Sequence, residues 1–322
     1  MRSSSTRDLH ELPKFRDGLT FLYVEHASIE QEAKAIAIYN KSGSSLVPVA
    51  ALGTLMLGPG TRITHAAIKA LSENGVTTVW VGEDMTRYYS SGTGETRSAR
   101  NIIRQATVWA DSEKHMMVVI RMYRKRFIEL LPQGLDLRQI RGREGVRVRE
   151  TYAFWSRETG VTWNGRNYDR KDWHESDPIN RSLSTGASVL YGLCHAAIVS
   201  SGFSPALGFI HTGKQLSFVY DIADLYKSEI LIPAAFQAVA QDSQCAEQNT
   251  RLKIRQRFKE TRLLDRIVDD IESLFEGFTQ QNGGDTDEQY QSDAAMPGQL
   301  WDPVSEVSGG VDYGSDDTGE NT

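Results

Sequence analysis

An α+β fold is predicted, with a β-rich N-terminal part and a helical remainder. Two observations carry that expectation. Short runs rich in β-branched and aromatic residues extend to about residue 90, and from Arg97 onward apolar residues recur every three or four positions. A chain of 322 residues can hold two ordinary domains with cores of their own.

Residues 16–62 and 76–90 read as short strands, with Thr20–Val24, Ala35–Tyr39, Leu46–Val49 and Val76–Val81 as the clearest. Turn signals separate them at Lys41-Ser-Gly-Ser-Ser45 and Gly58-Pro-Gly60. Thr64 to Asn74 reads as one short helix with a Thr start signal and Ala67, Ala70 and Leu71 on its apolar stripe. Ser91-Gly-Thr-Gly-Glu95 reads as a flexible link, so the expected divisions are 1–90, a linker at 91–96, a helical domain at 97–278 and a tail at 279–322. In the helical part Ile102, Ile103, Ala106, Val108 and Trp109, then Met117, Val118, Ile120 and Met122, are expected in the core. Arg251, Arg255, Lys259, Arg262 and Arg266 follow helical spacing. Lys253 and Arg257 also fit a period of two, but the stripe Leu263, Ile267, Ile271 and Leu274 downstream favours a helix.

The net charge of −6 conceals an uneven distribution. From Asp285 to Thr322 there are ten acids and no Lys or Arg; setting them aside leaves 36 basic residues against 32 acidic ones. That tail has too little apolar surface to order itself, apart from Met296–Trp301. Residues 121–149 hold nine Lys or Arg against three acids, and residues 251–266 hold seven against two. Clustered cations on a near-neutral body suggest a polyanion track, although a solvated helical face reads the same way. Two cysteines, Cys194 and Cys245, make no disulfide framework and fit a reducing cytoplasm. The N-terminus has no secretory character, and no run of about 18 consecutive apolar residues offers a membrane span.

Chemistry concentrates in residues 205–226. His211 lies on a Gly-flanked loop, and Asp221 and Asp224 follow at a spacing that puts both on one helical face. Acids among Phe218, Val219, Ile222 and Leu225 are costly unless paired or bound to metal. One reading is a hard-cation site; the plainer one makes Asp221 a helix cap and Asp224 a surface acid. A third reading takes Gly208–Gln215 as a near match to the phosphate-binding loop of nucleotide hydrolases, failing at Gln215 where a hydroxyl should hold Mg²⁺.

The run Gly208–Tyr226, with Arg141-Gly-Arg-Glu-Gly-Val-Arg-Val-Arg149 upstream, resembles the CRISPR-associated integrase, the catalytic subunit of the spacer-acquisition complex, in its type I-E branch. Leu57–Arg62 with Thr64-His-Ala-Ala, Val79–Glu83, Gly160–Arg166, Lys171-Asp-Trp173, Asp177–Asn180 and Leu190-Tyr-Gly192 extend the likeness. The resemblance implies an N-terminal mainly-β domain followed by a larger all-α catalytic domain. It implies Glu144, His211 and Asp224 as ligands of Mg²⁺ or Mn²⁺, with Asp221 a further acid needed for activity. It also implies DNA contacts at Arg62, Arg87, Arg141, Tyr168, Tyr191, Lys214 and Tyr220. The implied function is insertion of short foreign DNA fragments into a CRISPR repeat array by attack of 3′-hydroxyls on repeat phosphates. The implied partners are double-stranded DNA with single-stranded 3′ ends, repeat DNA, a second copy of the chain and a small ferredoxin-like subunit; no membrane is expected. The rival classes are the nucleotide hydrolase and a DNA-binding scaffold without catalysis.

Overall fold

β1 (Phe21–Val24), β2 (Ser28–Glu32), β3 (Ala35–Asn40), β4 (Gly43–Pro48), β5 (Thr54–Leu57) and β6 (Arg62–Ile63) precede α1 (His65–Glu73), β7 (Thr77–Val81) and β8 (Tyr88–Gly92). This computed structural model describes residues 21–85, 87–94, 99–127, 132, 134–166 and 177–278, all within one unit, Phe15–Gln281. One sheet runs β1-β5-β7-β8, with β1, β5 and β7 parallel and β8 antiparallel; the other runs β4-β3-β2-β6. Parallel neighbours need a crossover, and α1 supplies it between β5 and β7. The Thr64 hydroxyl accepts the N–H of Ala67 at 3.3 Å and starts that helix, whose Ala67, Ala70 and Leu71 are buried as expected. Ile29, Ile36 and Ile38 of one sheet pack with Leu55 and Leu57 of the other and with α1.

Two expectations are corrected in this region. The turn at Lys41–Ser45 is tighter, because Asn40 already pairs with Gly43, whose φ of +132° closes a two-residue loop. Ser44 and Ser45 belong to β4, whose polar residues are solvated. Likewise Ser91 and Gly92, read as a link, complete β8 opposite Val79 and Thr78.

The helices are α2 (Arg100–Ala110), α3 (Ser112–Arg126), α4 (Leu137–Thr159), α5 (Pro178–Ser200), α6 (Ser217–Tyr226), α7 (Ile232–Gln241), α8 (Ala246–Glu260) and α9 (Leu263–Leu274). A π-helical turn, Lys227–Leu231, joins α6 to α7. α5 is the centre of the core, burying Leu183, Leu190, Leu193 and Cys194. Its length and hydropathy would suit a bilayer, but 72% of that apolar window is covered by protein. Asp177 caps it by accepting the Asn180 N–H at 2.8 Å, and Arg166 bonds the Asn180 carbonyl at 3.1 Å. The segments Gly160–Arg166 and Asp177–Asn180 therefore meet as a structural lock.

The helical stripes need correction where the sheltered face is not the most apolar one. Val108, Val118 and Met122 are buried, but Ile102, Ile103, Trp109 and Met117 are exposed. Gln105 takes the inward position instead. Its amide accepts the Ser204 N–H at 2.7 Å and donates to the carbonyls of Ser204 (3.1 Å) and Leu207 (3.0 Å), which ties α2 to the loop leading into α6. Leu263, Ile267, Ile271 and Leu274 are all buried, as expected. The basic row is broken at Arg262, whose left-handed φ of +48° separates α8 from α9.

Gln105→Leu should lower stability by about 2–3 kcal/mol, since three backbone groups lose their partner while the packing volume is kept. Urea denaturation measures it; a loss under about 0.5 kcal/mol would show that water replaces the amide.

Candidate active site

Asp221 lies one helical turn before Asp224 in α6, and it has no exposed surface. Its carboxylate accepts the N–H groups of Phe209 (2.6 Å), Ile210 (3.1 Å) and His211 (2.9 Å), and it meets His211 Nδ1 at 2.7 Å. A buried carboxylate is tolerable when satisfied this fully. Three successive N–H groups form a concave anion site, and here the chain fills it with its own acid. The helix-cap reading of Asp221 is thereby corrected: it closes the preceding loop rather than the start of α6. The phosphate-loop reading is corrected by the same contacts, because those N–H groups are already taken. Lys214 is exposed, and its N–H donates to Ser217 Oγ at 3.0 Å. The loop also passes so close to α6 that a Cβ on Gly208 would lie 2.6 Å from Ser217 Cβ, and it folds tightly enough that the same Cβ would lie 2.3 Å from the His211 carbonyl.

The bond to Asp221 is the foremost cause raising the His211 pKa above 6.5; partial burial opposes it and Asp224 adds to it. With Nδ1 committed to a carboxylate, Nε2 is the nitrogen available to a ligand, as metal-binding histidines are commonly held.

Glu144 lies on α4. Arg147 grips it through Nε to Oε2 at 2.8 Å and Nη2 to Oε1 at 2.9 Å, and reaches Ser228 Oγ at 3.0 Å. Arg126, the last residue of α3, stands 3.6 Å from Glu144 Oε1 and 3.6 Å from Asp224 Oδ2. Lys227 pairs with Asp224. Burial alone would lower the Lys227 pKa, but Asp224 and Tyr191 outweigh it and the net shift is upward. Tyr191 of α5 and Tyr220 of α6 meet edge to face at 5.1 Å; Tyr220 also lies 5.8 Å from His211, and Lys227 Nζ lies 5.7 Å over Tyr191.

Thus Glu144 and Asp224 are joined through Arg126, while His211 is held by Asp221. Among the described residues no three His, Cys, Asp or Glu side chains converge closely enough to hold an ion as they stand. The donor types, two carboxylates and an oriented imidazole, nevertheless suit a hard divalent ion. The two carboxylates are at present partnered by the protein's own cations, and the imidazole by Asp221.

The remaining candidates are dispersed around this centre. Arg141 is exposed one turn before Glu144. Arg87 lines a cleft of about 220 Å³ with Tyr88, Ser188, Tyr191, Gly192, His195 and Leu216. Arg62 is exposed on β6 in the other sheet. Tyr168, like Lys171-Asp-Trp173, lies outside the described residues.

Arg126, Arg147 and Lys227 are site residues that sequence reasoning did not single out. The signal for two of them was available: Arg147 is three residues after Glu144, and Lys227 three after Asp224. The basic cluster at 121–149 is also less free than a polyanion track requires. Arg126 and Arg147 are spent on carboxylates, Lys125 on Asp270, and Arg121 on the carbonyls of Leu274 and Glu276. Arg124, Arg138, Arg141, Arg143 and Arg149 remain exposed.

A family model described as CRISPR associated protein Cas1 matches residues 122–261, a span running from the end of α3 through α8. The chain is 60% identical over 317 residues to CRISPR-associated endonuclease Cas1 2 of Thermus thermophilus, covering 98% of this chain and 97% of that protein. The chain belongs to the Cas1 family. CRISPR-associated endonuclease Cas1 of Escherichia coli K12 is 38% identical over 267 residues, covering 83% and 87%. Among solved structures, that of a TtCas1–DNA complex superimposes with a TM-score of 0.77 at 61% identity, covering 83% of this chain and 100% of the other. The α+β class expected from sequence agrees with the sheet region before α2 and the helical part after it.

Because the His211 pKa is raised, the stability lent by its pairing is complete below pH 6.5 and lost as pH rises through the folded-state value. Asp221→Asn should return the His211 titration toward 6.5 and cost about 2–3 kcal/mol, since an amide cannot accept all of these donors. Imidazole chemical shifts followed against pH test the assignment. An unchanged His211 midpoint in the variant would break it.

Proposed function

We propose that this chain is a metal-dependent DNA integrase of the endonuclease class, which captures short foreign DNA fragments and inserts them as new spacers into a CRISPR repeat array. The observation that carries this reading is the ion network of Glu144, Arg126 and Asp224 beside an Asp221-anchored His211, drawn from separate elements of the fold. The 60% identity to a CRISPR-associated endonuclease supports it, and the DNA complex of TtCas1 supports nucleic-acid binding. Mg²⁺ or Mn²⁺ held by Glu144, His211 and Asp224 would stabilise charge on a phosphate under attack.

The chain's own residues do the rest. Asp221 fixes the imidazole ring. Arg126, Arg147 and Lys227 keep positive charge beside the carboxylates, where phosphate oxygens would otherwise be repelled. Tyr191 and Tyr220 offer ring faces to unpaired bases, and exposed Lys214 and Arg141 suit phosphates of a single-stranded end. Tyr168 joins that group on the resemblance alone. Arg87, at the cleft beside Tyr191, and Arg62 suit the duplex. In the reaction a DNA 3′-hydroxyl forms a bond to a repeat phosphorus while the bond from that phosphorus to its own 3′-oxygen breaks. One phosphodiester replaces another, so no nucleotide triphosphate is consumed. The division into a β-rich part and a helical catalytic part, the type I-E branch, homodimerisation and a small ferredoxin-like partner complete the reading on the sequence resemblance, and the cysteine usage adds a cytoplasmic location. A scaffold without catalysis would bind DNA but show no strand transfer, with or without Glu144.

Glu144→Ala, His211→Ala and Asp224→Ala should each lower strand transfer by about 100-fold or more while fragment binding persists, because Lys and Arg supply most of that affinity. Purified protein, the small partner and a supercoiled repeat plasmid make the assay; near-normal transfer by the His211 variant overturns the site. Arg62→Ala with Arg87→Ala should reduce the salt dependence of duplex binding by about one slope unit per lost phosphate contact. An unchanged slope places these arginines off the DNA.

A further inference from the structure

Among the described ion pairs, Arg126 is the cation that reaches both Glu144 and Asp224. Its side chain is 6% exposed, so it is a buried charge. Both contacts are 3.6 Å long, and its Nε and Nη2 are buried without a hydrogen bond. A buried arginine on a carboxylate ordinarily closes to about 2.7–2.9 Å in a two-pronged bond. Arg147 does so on the same Glu144, at 2.8 and 2.9 Å. Arg126 is therefore held by charge rather than by hydrogen bonding. Its guanidinium lies 4.9 Å over the Tyr123 ring. It also ends α3, where the carbonyl dipoles favour a cation. A buried, under-bonded arginine destabilises a fold unless it neutralises something equally buried. Here that something is a pair of carboxylates brought from α4 and α6 to one place.

We propose that Arg126 is a positioning residue, an internal counter-cation that keeps Glu144 and Asp224 together when no divalent ion is bound. The inference rests on the metal reading given above. Its loose contacts add no tight bond to either acid; the tight partners an incoming ion must displace are Arg147 on Glu144 and Lys227 on Asp224. The same positive charge opposes that ion, and affinity is moderated as a result.

The test compares wild type, Arg126→Gln, Glu144→Gln and the double variant by thermal melting with and without Mn²⁺, and by Mn²⁺ titration followed by electron paramagnetic resonance. Arg126→Gln should melt lower than wild type without Mn²⁺, and adding Glu144→Gln should recover most of that loss. Arg126→Gln should also bind Mn²⁺ about tenfold more tightly than wild type and gain more in melting temperature from it. Losses that simply add in the double variant, with Mn²⁺ affinity unchanged, would reduce Arg126 to packing and overturn the proposal. Should Arg126→Gln fail to fold alone, recovery by Mn²⁺ or by Glu144→Gln supports the proposal, and failure of both overturns it. A wild-type protein indifferent to Mn²⁺ overturns the metal reading, while the metal-free comparison of the four proteins still decides the role of Arg126.

Discussion

With no surface exposed to water, the Asp221 carboxylate must find its partners inside the protein, and the loop before α6 takes its shape from that demand. Three consecutive N–H groups turn inward to meet it, and the His211 ring is drawn onto the remaining contact. The loop's other end is fixed by Gln105 through Ser204 and Leu207, so both halves are bonded to helices. His211 also belongs to a connected aromatic group, since Tyr220 touches both it and Tyr191. A histidine beside the exposed stretch 212–215 acquires a defined orientation in this way, which the proposed role as a ligand would require.

The electrostatics of the centre follow from what surrounds the two carboxylates that Asp221 does not serve. Glu144 and Asp224 face three cations, Arg126, Arg147 and Lys227, each on a different stretch of chain. Both acids thus have cationic partners within the protein itself. A nucleic-acid phosphate approaching two bare carboxylates would be repelled; approaching this cluster it meets a surplus of cations. Under the proposed function the same charges would serve a second state, in which the more exposed Arg147 and Lys227 face phosphate.

What could be read from the sequence divides along the line between local and tertiary causes. Thr64 as the start of α1 and the stripe from Leu263 to Leu274 were legible because capping and periodicity act within a few residues. Cys194 lies in the apolar run 189–199, whose composition signals burial, and that burial raises its thiol pKa. The partners of the acids were less so. Arg126 reaches Glu144 across a long separation in sequence, and no spacing rule links α3 to α6. Periodicity likewise marks the apolar faces of α2 and α3 without telling which face the core covers, so Ile102 and Trp109 are expected inside, where the structure puts Gln105. Asp221 was visible as an acid in apolar company, but its role depends on a loop folding back over ten residues.

α5 explains how the sheets and the site come to act as one framework. Ala196 on this helix packs with Met56, Val79 and Val81 of the first sheet, and His195 stacks on Tyr88 of β8 with ring centroids 3.5 Å apart. Burial pushes the His195 pKa down to about 4, so this contact stays neutral and insensitive to ordinary pH. One turn earlier on the same helix, Tyr191 stands against Tyr220 and Lys227 at the carboxylate cluster. The cleft holding Arg87 lies between these two contacts, lined from β8 on one side and α5 on the other. A rigid, largely buried helix thus sets the distance from the sheet to the site. Displacing Tyr88 from His195 would move Arg87 relative to Tyr191 without touching any of the acids, which makes the stacked pair part of the site's geometry rather than of its chemistry.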